Sequence, residues 1–114
     1  MQHRQAWAVV LGLALGLGTA LAVSSSATAQ NYGDAARGAP LAMRLCQGCH
    51  GVRTQEVSIN ALAPPFDSIA ETKGMSETAL SVLLRTPHRD MPNLALEDQE
   101  RADIIAYIMT LKGK

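Results

Sequence analysis

Cys46-Gln47-Gly48-Cys49-His50 sets two thiols three positions apart, with an imidazole directly after the second. That arrangement suits covalent attachment of haem. One turn of chain offers two sulfurs to the two vinyl groups along one porphyrin edge, and the next residue lays a ring nitrogen against the iron. Histidine is an axial ligand whose identity helps set the potential. Two competing chemistries share these residue types. Zinc needs a fourth ligand, the only other histidines are His3 and His88, and adjacent Cys49 and His50 are badly placed to reach one tetrahedral ion. A thioredoxin-like dithiol needs strands alternating with helices, a pattern this chain lacks. No further cysteine exists to build a disulfide framework. One covalently bound haem c on Cys46 and Cys49, with His50 on the iron, is the expectation.

The sixth coordination position separates electron transfer from ligand chemistry. Met43 lies one helical turn before Cys46, too close to cross the haem plane. Met75 precedes a helix start and can staple against Leu80. Met109 sits in the last helix, where a soft side chain ordinarily fills core or surface gaps. Met91 differs: it follows a proline-stopped helix, and Pro92 keeps its backbone extended. Its thioether is expected to approach the iron from the face opposite His50, and His/Met ligation raises the potential and favours electron transfer over oxygen chemistry. His88 competes from the same loop, although an exposed loop histidine is more often simply solvated.

The chain of 114 residues opens with a targeting pattern. A short polar start carrying Arg4 leads into an apolar run over Ala6 to Val23, and then to Ala27-Thr28-Ala29. This reads as a secretory signal over residues 1–29, cleaved between Ala29 and Gln30. The apolar run is also nearly long enough to span a bilayer, so retention as an anchor is the alternative. Both place the folded part outside the cytoplasm, in the periplasm. Residues 30–114 then form one domain with nine basic and ten acidic residues, a balance that does not point to nucleic acid or a membrane surface. A domain this small is marginal without a cofactor, so the haem-free chain is expected to be largely unfolded.

Where the chain is periodic, the period is helical. Asp34 can cap a helix reaching Leu45, with Ala35, Gly38, Leu41, Ala42 and Leu45 on one face. Pro40 either bends this helix or belongs to the first turn of one starting near Gly38. Residues 51–63 read as loop and Ala63-Pro64-Pro65-Phe66 as extended. A short helix follows over Phe66 to Lys73, ended by Gly74. Ser76 caps the next, whose buried stripe is Leu80, Leu83 and Leu84 and which Pro87 stops. The last runs from about Asp98 to Leu111, with Ile104, Ile105, Ile108 and Leu111 apolar and Asp98, Glu100 and Asp103 near its positive end.

With these residues in place, the chain resembles the class I, single-haem c-type cytochromes of small bacterial periplasmic type. GDAARGAPLAMRLCQGCHG is similar to their first helix and haem motif, APPF to the proline segment, RTPHRDMPNL to the methionine loop and ADIIAYIMTLK to the closing helix. The resemblance implies an all-α fold of three to four helices wrapped around one haem. It also implies thioether bonds at Cys46 and Cys49, His50 as proximal ligand and Met91 as distal ligand. Pro64 would offer its carbonyl to the His50 ring N–H, and Gly38 would let the first helix cross the last against Ile104 and Tyr107. Many relatives carry an aromatic where this chain has Ala42.

The function expected is a periplasmic one-electron carrier between redox partner proteins, not an enzyme and without a small-molecule substrate. A dedicated electron-transfer subunit of a periplasmic dehydrogenase or oxidase is one alternative. A gas- or peroxide-responsive haem protein, which would need Met91 displaceable, is another. Arg85, His88 and Arg89 could steer an acidic partner, or simply form solvated surface.

Overall fold

The computed structural model describes residues 33–86 and 90–114. The expected signal segment, His88, Arg89 and Pro87 lie outside them. Four helices follow in order: α1 (Ala35–Leu45), α2 (Phe66–Glu71), α3 (Glu77–Leu83) and α4 (Asp98–Thr110). The described residues form no strand, and none of their helices is long and apolar enough to cross a membrane. The all-α expectation holds.

Local signals explain most of these boundaries. The Asp34 carboxylate accepts the Ala36 N–H at 2.8 Å and the Arg37 N–H at 3.4 Å, capping α1. With that cap in place α1 runs from Ala35 straight through Pro40, so the later start near Gly38 is excluded. Helix α2 stops at Glu71, short of the expected Lys73. Thr72 already leaves helical geometry, and Gly74 takes the left-handed φ of +81° in the turn that follows. Ser76 Oγ accepts the Ala79 N–H at 3.2 Å and starts α3. At α4 the cap is Glu97, and Glu100 reaches back to its N–H at 3.2 Å, one arm of a capping box.

Helix α4 is the hub: it packs on α1, α2 and α3, which do not pack on one another. Its buried stripe is Ile104, Ile105, Ile108 and Leu111, joined by Ala42 of α1, Phe66 and Ala70 of α2, and Leu80 of α3. Leu83 departs from expectation. It is 44% exposed and lines a cavity, whereas Leu80 of the same helix is buried against α4.

The α1–α4 crossing is close. A Cβ on Gly38 would lie 2.0 Å from the Asp103 carbonyl oxygen and 2.8 Å from Tyr107 Cβ. The nearest neighbours are therefore Asp103 and Tyr107, with Asp103 in place of the expected Ile104. A Cβ on Gly33 would come equally near the Ala102 carbonyl, at 1.9 Å.

Asp103 is not a solvated charge near the helix start. It is 3% exposed and receives Arg37 through Nε at 2.8 Å and a terminal guanidinium nitrogen at 2.9 Å. The Asp34 N–H at 2.8 Å and the Gln99 amide at 2.9 Å complete its shell. The Arg37 hydrogen bonds hold its carboxyl down at about 2, against about 3.9 in an unfolded chain. A depressed carboxylate stabilises fully above the unfolded value, and that contribution disappears as pH falls through the folded one. The contribution is roughly 1–2 kcal/mol once the half-exposed Arg37 is allowed for. Asp103→Asn should therefore lower stability at pH 7 and flatten the acid limb between about pH 4 and 2. Urea unfolding across that range checks this; an unchanged slope would contradict it.

Candidate functional site

A cavity of about 380 Å³ opens between α2, α3, α4 and the segment after α1. Its size falls in the range of ligand pockets, roughly 300–1,000 Å³. Phe66, Ile69, Leu80, Leu84, Ile104 and Ile108 supply much of an apolar wall. Cys46, Cys49, His50, Pro64 and Met91 all line it, so residues up to 45 positions apart in sequence meet around one space.

The Cys46–His50 stretch leaves α1 as a turn. The Cys49 and His50 N–H groups both donate to the Cys46 carbonyl, at 3.1 and 2.9 Å. This folds both thiols and the imidazole to one side of the chain. Cys46 is buried, which pushes its thiol up to about 11, while Cys49 is half-buried. A neutral buried thiol is a poor nucleophile and a poor target for oxidants.

His50 is held from the Pro64 side. Its Nδ1 lies 2.7 Å from the Pro64 carbonyl oxygen, a bond in which the ring N–H donates, so Nε2 is the nitrogen left for another partner. No hydrogen bond to Nε2 occurs among the described residues. The Phe66 ring sits 5.5 Å from the imidazole at a 49° tilt, and the Phe66 N–H donates to the Gly51 carbonyl at 2.8 Å. Phe66 is thus a support for His50 that sequence reasoning passed over. Its place directly after Pro64-Pro65 was the available signal.

The methionines divide clearly. Met43 is turned outward, its sulfur 3.3 Å from an Arg53 guanidinium nitrogen. Met109 packs against the core. Met75 and Met91 both line the cavity, Met75 from the turn before α3 and Met91 from the stretch that returns to α4. That return is tied to α4 by Arg101, which donates to the Leu96 carbonyl at 2.8 Å. Of the expected basic cluster, Arg85 donates to Asp98 at 3.3 Å.

These residues fit a haem. The walls are apolar, two thiols and an imidazole share one edge, and the imidazole is oriented by a carbonyl that accepts its Nδ1–H. Among the described residues, no group of three or more His, Cys, Asp or Glu side chains could hold a metal ion. Each of α1, α2 and α3 packs on α4, and a group held in the cavity between them would complete the core. A Cys46→Ala, Cys49→Ala double variant should lack cooperative thermal unfolding by circular dichroism, as expected of a fold stabilised by what only its native state binds.

The sequence pattern of one family, cytochrome c, matches residues 35–112. No curated protein and no solved structure matches the chain.

Proposed function

The chain belongs to the cytochrome c family, electron-transfer proteins that carry covalent haem c and are not enzymes, and on that premise we propose that it is a one-electron carrier with a closed, six-coordinate His/Met site. When bound, the haem supplies a reversible Fe(III)/Fe(II) couple. Cys46 and Cys49 hold it through thioether bonds. His50 would present Nε2, with the Pro64 carbonyl accepting from Nδ1 and orienting the ring. Met91, which lines the same cavity, would supply a thioether ligand, and the apolar wall would keep water from the ligands.

The observation that carries this reading is the meeting of Cys46, Cys49, His50 and Met91 around one apolar cavity. Met91 is favoured over Met75 for a physical reason. Met75 is packed between a left-handed turn at Gly74 and the Ser76 cap, with its N–H on the Thr72 carbonyl at 2.9 Å. Met91 follows Asp90, at φ +65°, and precedes a proline, in a stretch outside any helix.

The proposed setting is the periplasm, reached through the segment 1–29, with donor and acceptor proteins as partners. The test is carbon monoxide added to the reduced holoprotein. A closed carrier leaves the spectrum unchanged, whereas rapid binding would favour the gas-responsive alternative. Persistent co-purification with a large apolar partner would favour the dedicated-subunit alternative.

A further inference from the structure

One carboxylate that the ligand set does not use gathers the chain around His50. Glu56 Oε1 accepts from the Gln47 amide at 3.2 Å and from the Arg53 guanidinium at 3.0 Å. Its Oε2 accepts the Val52 N–H at 2.7 Å and the Arg53 N–H at 2.9 Å. Gln47 lies between the two cysteines, while Val52 and Arg53 follow His50. A single side chain therefore bridges both flanks of Cys49-His50. The donors also keep it ionised: the Arg53 and Val52 N–H groups, foremost, lower its pKa.

The turn that delivers Glu56 is itself tightly specified. Gln55 sits at φ +57°, a left-handed conformation unfavourable to a residue with a Cβ, and its N–H is held by Asp67 at 2.9 Å. A Cβ on Gly51 would lie 1.9 Å from the Glu56 carbonyl oxygen. The surrounding backbone is pinned as well. The Gly51 N–H donates to Ser58 Oγ at 2.9 Å, and the fully buried Val52 accepts Tyr107 OH on its carbonyl at 2.8 Å.

An imidazole held at Nδ1 alone can still pivot about that hydrogen bond. Its plane is set only when the backbone at the other end is fixed too. We propose that Glu56 is a positioning residue for His50: by tying Gln47 to Val52 and Arg53, it fixes the main chain on both sides of the ligand. Together with the Pro64 carbonyl, this sets the plane of the imidazole. The inference rests on His50 being an axial ligand, as read above. An ordinary turn-closing ion pair would need only the Arg53 contacts; the Gln47 arm, nine residues away, has no place in such a turn.

The test uses the mature ferric holoprotein, in which the order of the four haem-methyl proton resonances reports the orientations of the imidazole plane and of the thioether together. The Met91 loop is untouched by the variants, so a change in order reports the imidazole. Glu56→Ala should reorder those resonances. Glu56→Gln keeps one oxygen to accept the Val52 or Arg53 N–H and should largely restore the wild-type order. Gln47→Ala cuts only the arm across the motif and should move the pattern the same way by less. Wild-type order in Glu56→Ala, accompanied only by a lower melting temperature, would reduce Glu56 to a turn residue and overturn the proposal. Where Glu56→Ala does not fold, an unchanged pattern in Gln47→Ala overturns it equally. A wild-type spectrum without a histidine-ligated low-spin signature would instead overturn the ligand reading itself.

Discussion

Met91→Ala is expected to abolish the sulfur-to-iron charge-transfer band of the ferric protein and to lower its potential by on the order of 0.1 V, within the roughly 0.8 V over which axial ligation moves haem potentials. Thioether ligation favours the reduced metal, so its loss favours Fe(III). The reduced variant should also bind carbon monoxide that the wild type refuses. Met75→Ala is the matched comparison, because both side chains line the same cavity. It should keep the band and the potential, and lose only the packing of one half-buried thioether, about 1–2 kcal/mol. If the band survives Met91→Ala and disappears in Met75→Ala, the ligand assignment is reversed. Spectropotentiometry of the two variants decides between them.

Gly38→Ala carries the largest expected structural effect. In an unobstructed helix interior this exchange stabilises by about 1 kcal/mol, because alanine is the better helix former. Here the added carbon would meet the Asp103 carbonyl oxygen at 2.0 Å, and backbone cannot swing aside as a side-chain tip can. The crossing must open, and overpacking of this kind costs about 1–3 kcal/mol or more, a large share of a small domain's 5–15 kcal/mol. Opening would also lengthen the Arg37–Asp103 and Asp34–Asp103 hydrogen bonds. A fall in melting temperature of roughly 10 °C is expected. A rise, as helix propensity alone would give, would show that the helices can separate without loss.

How much of this the chain discloses in advance depends on whether the relevant force is local. The caps at Asp34 and Ser76 are short-range hydrogen bonds between neighbours, and their residue types announce them. The stripe of α4 follows from its period. The haem motif is legible because its chemistry requires adjacency. What stayed hidden depends on partners far along the chain. Asp103 sits among helix-start acids in the sequence, and only the crossing shows that it is buried against Arg37, 66 residues away. Its place one turn before Tyr107, which faces the same crossing, was the faint signal. Leu83 fits the apolar stripe of α3, yet its inward direction leads to a cavity, so periodicity alone could not tell burial from lining.

Pro40 and Glu56 show the same limit at short range. Two readings of Pro40 were open because a proline near a helix start satisfies either. The Asp34 cap decides for the longer helix. Glu56 lies in a stretch without periodicity, and its four convergent donors can be recognised only once the loop has closed around them.

Intact mass and visible spectra of the protein matured in its own host test the central claim most directly. The account predicts one haem added in mass, retained through acid–acetone extraction, with neither Cys46 nor Cys49 open to a thiol reagent. A colourless protein carrying two free thiols and no added tetrapyrrole would contradict it.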